Sequence, residues 1–389
     1  MKNLIKKIRD SGKNHLAAAL ESGVDKSILE YSKTLLSHSP ENNIESELME
    51  SFKEEMVSRG FSEQLTNRTI QQLKSNRVIQ TSPHTSLVPS SRMFCIDWLS
   101  TQALQAGDLY IVGSFSGIPF SNSVKPGRIN TGTKSLNFVP KTHQDALVYK
   151  SPVFEKSFAE FDLNMKSLQG VVSPAGFESF SDWACSNSGA LHSRALDKEI
   201  VYLDINNVIA RYILKVIDNQ AHPISKLLFD NRYRETFIKH FGEKTHLFYG
   251  AYKSSKYKKR ESLYFDGLDL SGDYHQIRLS PEELRKKLID GTLCPATILT
   301  FTILSFLNDF KCLGSFMQVE YLSEFKNKWQ ASGLLGDVSL VKTSNLSTGE
   351  FENFTETSLE YLSIKPDLLE AENSSMKYLW LPMKDQFLK

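Results

Sequence analysis

Residues 77–128 read RVIQTSPHTSLVPSSRMFCIDWLSTQALQAGDLYIVGSFSGIPFSNSVKPGR, and three segments follow one another within them. A short apolar run, Val78-Ile79, breaks at Thr81-Ser82-Pro83-His84. A helix is predicted from about Arg92, with Ser90 and Ser91 as N-caps, Met93, Phe94, Ile96, Trp98, Leu99, Ala103 and Leu104 as its apolar residues, and Gly107 at its C-terminal cap. A second apolar run, Leu109–Val112, ends in Gly113-Ser114. A strand, a helical crossover and a second strand place two parallel strands in one sheet. Ligands of open parallel sheets sit beyond the carboxyl ends of the strands, where loops vary on a fixed scaffold. Those ends are Thr81–Ser86 and Ser114–Asn122, both rich in Ser, Thr, His, Gly and Asn.

Outward from this unit, residues 1–76 read as helices and form a predicted N-terminal cap on an α/β core of residues 77–335, followed by a C-terminal extension, 336–389. Further helices are predicted over 155–169, 174–188, 205–217 and 232–241, and strands over 199–203, 246–252 and 262–265. Ser280-Pro281-Glu282-Glu283 is a helix start, with an N-cap Ser and Pro at the first helical position. Pro295 is expected to open a buried apolar helix, and Gly314 to precede another over 316–329.

Composition narrows the function. Forty-six basic residues against 45 acidic ones give a net charge of +1, which argues against a dedicated nucleic-acid binder. The first residues, MKNLIKKIRDSGKNHL, lack the apolar core of a secretion signal, and no run reaches the ~18 residues of a membrane span. Cys95, Cys185, Cys294 and Cys312 are scattered without paired spacing, which suits a cytoplasmic location and no metal site. HExxH, GxSxG, CxxC, GxGxxG, Walker and kinase signatures are absent.

Candidate site residues therefore come from position and type. His84 at a strand end is a candidate acid/base group, with Ser82 and Thr85 beside it and Ser114 and Asn122 on the second loop as substrate contacts. Arg128 is a candidate clamp for a carboxylate or phosphate. Gln318, Glu320 and Tyr321 follow a Gly turn that opens a helix, where free N–H groups suit an anion; Glu320 is assigned, with His84, to catalysis, as the binder of a substrate amine. The basic run Lys253–Arg260 is suited to meeting phosphates and equally well explained as a surface hairpin turn, whereas the pair His143/Asp145, a candidate acid/base pair by type, is better read as local structure.

Two separated pieces together resemble the bacterial family that adds cysteine to glucosaminyl-malate in bacillithiol synthesis. QTSPHTS (80–86) and YIVGSFSG (110–117) stand in the order of that family's TGxQ-type first turn and second strand end. LSPEELRKKL, CPATILTFTILSFL and LGSFMQVEYL follow like its later segments, ending at Glu320 and Tyr321. The family's acidic cluster is replaced here by SFSGIPFSN, and its long coiled coil has no counterpart of similar length. The resemblance implies a Rossmann-like core, so the expected fold is α/β, a Rossmann-like parallel sheet with the helical N-terminal cap and a helical C-terminal part read from the periodicity. The expectation is a biosynthetic enzyme joining or modifying small polar metabolites, with carbon–nitrogen bond formation to an amino acid as its reaction class. A nucleotide cofactor and homo-oligomerisation stay open. The alternative is a non-catalytic small-ligand or protein-partner module on the same core.

Overall fold

The computed structural model describes residues 1–88, 90–130, 135–154, 172–253, 258–336, 338–351 and 372–388. The 77–128 unit folds as its pattern predicts. Strand β1 (Val78–Gln80) leads to helix Ser91–Thr101, where the Ser90 hydroxyl accepts the Met93 N–H at 3.3 Å, and strand β2 (Tyr110–Ser114) follows. The helix ends earlier than predicted. Thr101 Oγ1 and Gln102 Nε2 turn back onto the Asp97 and Trp98 carbonyls and occupy the last acceptors. Gly107, at φ +89°, instead lies in the turn that enters β2.

β3 (Arg128–Asn130) and β4 (Ser135–Asn137) form a two-stranded ribbon, and β5 (Ile200–Asp204) returns to the main sheet. β6 (Phe248–Lys253), β7 (Lys258–Asp266), β8 (Asp269–Ser271), β9 (Gln276–Arg278) and β10 (Leu293–Pro295) build an antiparallel sheet in the order β10-β6-β7-β8-β9. β11 (Lys311–Leu313) then joins the first sheet, whose order is β11-β1-β2-β5 with every neighbour pair parallel. The protein is thus mixed α/β, with helices around a four-stranded parallel sheet.

Alternation along these strands feeds two cores. Ile79, Ile111, Val201, Leu203 and Cys312 join one, while Val78, Tyr110, Val112, Ile200, Tyr202 and Leu313 join the other. A sheet buried on both faces reads as continuous apolar runs, which is why Leu109–Val112 shows no polar alternation. The N-terminal helices are shared between the two cores. Helices Lys2–Asp10, Asn14–Gly23 and Ile28–Leu36 pack into the second, and helices Ser46–Ser58 and Glu63–Ser75 into the first. The tail docks on the second core through Met376, Leu379, Trp380, Met383 and Phe387.

Other predicted starts hold. Ser280 Oγ accepts the Glu283 N–H at 3.2 Å above helix Pro281–Ile289, and Ser315 caps helix Phe316–Ser332. Pro295 closes β10 rather than opening a helix; the apolar segment forms helix Thr297–Phe301, then a π-helical stretch, Thr302–Leu307. The helix predicted over 174–188 is displaced to Phe180–Leu196, because the Ser179 hydroxyl takes the Asp182 N–H at 3.2 Å. The helix predicted over 155–169 lies outside the described residues. Among the described residues, no helix is long and apolar enough to cross a membrane. All four cysteines are buried and free.

Candidate functional site

The pairing of β1 with β2 continues past both strands. Thr85 N–H donates to the Phe115 carbonyl and Phe115 N–H to the Pro83 carbonyl, each at 2.9 Å. This holds the Thr81–Ser86 turn against the Ser114–Asn122 loop, and a cavity of about 490 Å³ opens between them, walled by β6, β7 and the start of helix Phe316–Ser332. Of the residues predicted from sequence, Ser82, His84, Asn122, Gln318 and Tyr321 line it.

Their hydrogen bonds fix which atoms remain free. Asn122 Oδ1 accepts the Val124 N–H at 3.2 Å, so it is the acceptor for His84 Nδ1 at 3.4 Å. Nδ1 therefore carries the proton in the neutral ring, and Nε2 keeps a lone pair. Burial lowers the His84 pKa; the Asn122 contact opposes this and Arg260 adds to it. The ring is held neutral. Gln318 Nε2 donates to Thr81 Oγ1 at 2.8 Å, while that hydroxyl donates to the Leu313 carbonyl at 2.9 Å. Gln318 Oε1 is left unpartnered in the wall. Gly314 makes this fit, since a Cβ there would collide with the Gln318 side chain. Burial also pushes the Tyr321 phenol well above its ordinary range.

Four predicted residues lie elsewhere. Thr85 and Ser114 are buried and bond to each other at 2.9 Å, with Ser114 Oγ also 3.1 Å from Cys185 Sγ; they tie β2 to its neighbours instead of facing the cavity. Arg128 is exposed on β3, where its backbone pairs with Asn137, because the loop after β2 carries it away from the strand ends. Glu320 points off the opposite side of its helix from the cavity wall: Oε1 accepts the Leu16 N–H at 2.7 Å. Leu16 is third in helix Asn14–Gly23, whose N-cap residue Lys13 supplies no side-chain cap, so Glu320 fills that place from another part of the chain.

The cavity also recruits residues outside the sequence-derived set. Arg260 belongs to β7, paired with Ala251, rather than to a surface turn. Its guanidinium lies 4.4 Å from the Tyr249 ring centre, and Nη1 donates to the Gly117 carbonyl at 3.3 Å. Positions 254–257 of the basic run lie outside the described residues. Asn206 Oδ1 accepts the Ser116 and Gly117 N–H groups at 2.8 and 3.0 Å and so shapes the loop. A signal for Asn206 was present, since it follows the carboxyl end of the strand predicted over 199–203. Arg260 carried a signal as the end of the basic run, whereas nothing local marks Tyr249, and antiparallel pairing brings both to the cavity.

Behind Asn206, Asp204 accepts from Ser116 Oγ at 2.7 Å and caps helix Ile205–Val216. Burial, opposed by that hydroxyl, raises its carboxyl to about 6. The cavity wall itself contains Arg92 and Arg260 and, among the described residues, no carboxylate. Nor do three His, Cys, Asp or Glu side chains group among the described residues to hold a metal ion. The chemistry on offer is anion binding by arginine and proton acceptance by imidazole. No protein-family model matches the chain, and no curated protein matches it.

Proposed function

We propose that the chain is a biosynthetic enzyme that joins or modifies small polar metabolites bound in the 490 Å³ cavity. The observation that carries this reading is one wall holding both the bare nitrogen of a neutral imidazole, His84 Nε2, and Arg260, which makes no ion pair among the described residues. Arg260 receives the anionic group of the metabolite. His84 accepts a proton from its hydroxyl or amine, a role worth roughly 10²–10⁴ in rate. The order of the strand-end turns supports a Rossmann-like core, and the resemblance to the cysteine-adding family supplies carbon–nitrogen bond formation with an amino acid as the reaction class. Glu320 has no part in this version, since its carboxylate serves helix Asn14–Gly23. A cytoplasmic setting belongs to the same proposal.

One observation favours a second reading, a non-catalytic small-ligand module: no carboxylate lines the cavity among the described residues to orient His84 or share its proton. Thermal-shift screening against amino acids, nucleotides, sugar phosphates and dicarboxylates identifies binders, because a ligand of the folded state raises the melting temperature. Pairs of binders are then incubated with wild type and His84→Gln, and consumption is followed by mass spectrometry. The enzyme reading expects turnover that falls at least 100-fold in the variant while binding persists. Binding without consumption of any pair selects the module, and equal turnover by both proteins removes the base role from His84.

A further inference from the structure

Charge counting around the cavity leads beyond "small polar metabolite". Helix Phe316–Ser332 presents its first turn to the cavity through Ser315, Phe316, Met317 and Gln318. Ser315 Oγ takes the Gln318 N–H, which leaves the Phe316 and Met317 N–H groups without an intrahelical acceptor. Helix Ser91–Thr101 likewise begins in the wall, with Arg92 and Met93 lining it. Each helix start contributes roughly +0.5 of a charge. Helix Ile205–Val216 does not, because Asp204 already occupies its first N–H groups. Arg92 lies 3.8 Å from Glu350, so its charge is shared. Arg260 has no such partner among the described residues, and its positive field reaches His84, His246 and Tyr249. The sum is about +2, with no carboxylate in the wall among the described residues to offset it.

We infer that the ligand of this cavity is a phosphate monoester of a small hydroxyl- or amine-bearing molecule, an inference that rests on the small-metabolite reading above. A phosphate monoester carries about −1.5 to −2 at neutral pH, which matches the sum, whereas a single carboxylate leaves half of it unmet. Free helix N–H groups and a guanidinium are the donors that phosphate oxygens use. Met93, Ile96, Phe115, Ile118 and Val124 give the wall an apolar stretch beside its polar groups, which calls for an organic body attached to the charged group rather than for a bare inorganic anion. Gln318, only 2% exposed, keeps Oε1 unpartnered there and so asks for a donor, a hydroxyl or an amine, on that body.

Isothermal titration calorimetry with AMP, glucose 6-phosphate and inorganic phosphate, against adenosine, glucose and malate, tests this at fixed low salt. At least one ester should bind tenfold or more tightly than its unphosphorylated partner, than inorganic phosphate and than malate. Arg260→Gln should abolish that preference. If Arg260→Gln does not fold, Gln318→Glu serves, since a carboxylate placed in the wall should weaken the ester at least tenfold more than its unphosphorylated partner. Malate, amino acids or uncharged partners binding as well as the esters, or an ester preference untouched by either variant, overturns the phosphate assignment and leaves the small-metabolite reading standing. No binding by any of these probes or the twenty amino acids removes both.

Discussion

Replacing Glu320 by Ala separates the position that sequence gave this residue from the one the fold gives it. In the structure its carboxylate is the cap of helix Asn14–Gly23, accepting the Leu16 N–H at 2.7 Å. Loss of a capping acceptor costs about 0.5–2 kcal/mol. Loss of a negative charge beside a helix start costs about a further 0.3–1 kcal/mol. Glu320→Ala should therefore destabilise the protein by about 1–2.5 kcal/mol. With an unfolding entropy of ~2.1 cal/mol/K per residue, the melting temperature should drop by only ~1–3 °C. Urea unfolding midpoints are the better assay, since they resolve this range directly. Glu320→Gln keeps an acceptor oxygen and should recover roughly the capping part of the loss. Ligand affinity in the cavity should be unchanged in both variants. A Glu320→Ala protein with wild-type stability and abolished ligand binding would refute the reassignment and return Glu320 to the site.

Asp97 accepts from Tyr202 Oη and faces His192 Nδ1, both at 2.6 Å and buried, while the hydroxyl and the ring nitrogen lie 3.3 Å from each other, so Asp97→Ala removes the acceptor they share and should cost about 1–3 kcal/mol. A loss below about 1 kcal/mol in urea unfolding would show that the pair contributes nothing. Burial, opposed by Arg59, pushes the Glu55 carboxyl up to about 7 from 4.5, with Arg211, Asp182 and Asp204 also facing it. A folded carboxyl that holds its proton more tightly than the unfolded one adds stability at low pH, and that contribution is lost as pH rises from about 4.5 through 7. Glu55→Gln should therefore gain on wild type by about 2 kcal/mol between pH 5 and 8; a stability difference independent of pH would place the group in another environment. Gly314→Ala puts a Cβ into the Gln318 side chain, so calorimetry should read at least tenfold weaker ligand binding alongside ~1–3 kcal/mol of lost stability. Unimpaired binding in that variant would remove Gln318 from the wall.

Half of the candidate site was legible because its geometry is local. His84, Ser82 and Asn122 sit at the ends of strands whose apolar runs are visible, and the Ser315–Tyr321 turn announces itself by Gly and Ser before a helix. The outcome for neighbours on one helix shows the limit. Gln318 and Tyr321 face the cavity while Glu320 between them faces Leu16, and sequence cannot say which arc of a helix meets which cavity. Its polar residues are equally consistent with either face.

The amino-acid sequence by itself determined the strand–helix–strand unit, the parallel pairing of β1 with β2, the capped helix starts at Ser90 and Ser280, and the helix that follows Gly314, since periodicity and capping act within a few residues. Tertiary structure decided the rest. Lys311–Leu313 is too short to read as a strand, and becomes one only because β1 offers it a row of backbone partners. Arg260 enters the cavity because β7 pairs with β6, and Glu320 leaves it because a distant helix lacks a cap of its own. Unsatisfied backbone groups must find partners wherever the chain brings them, and those partners are chosen by packing rather than by sequence neighbours.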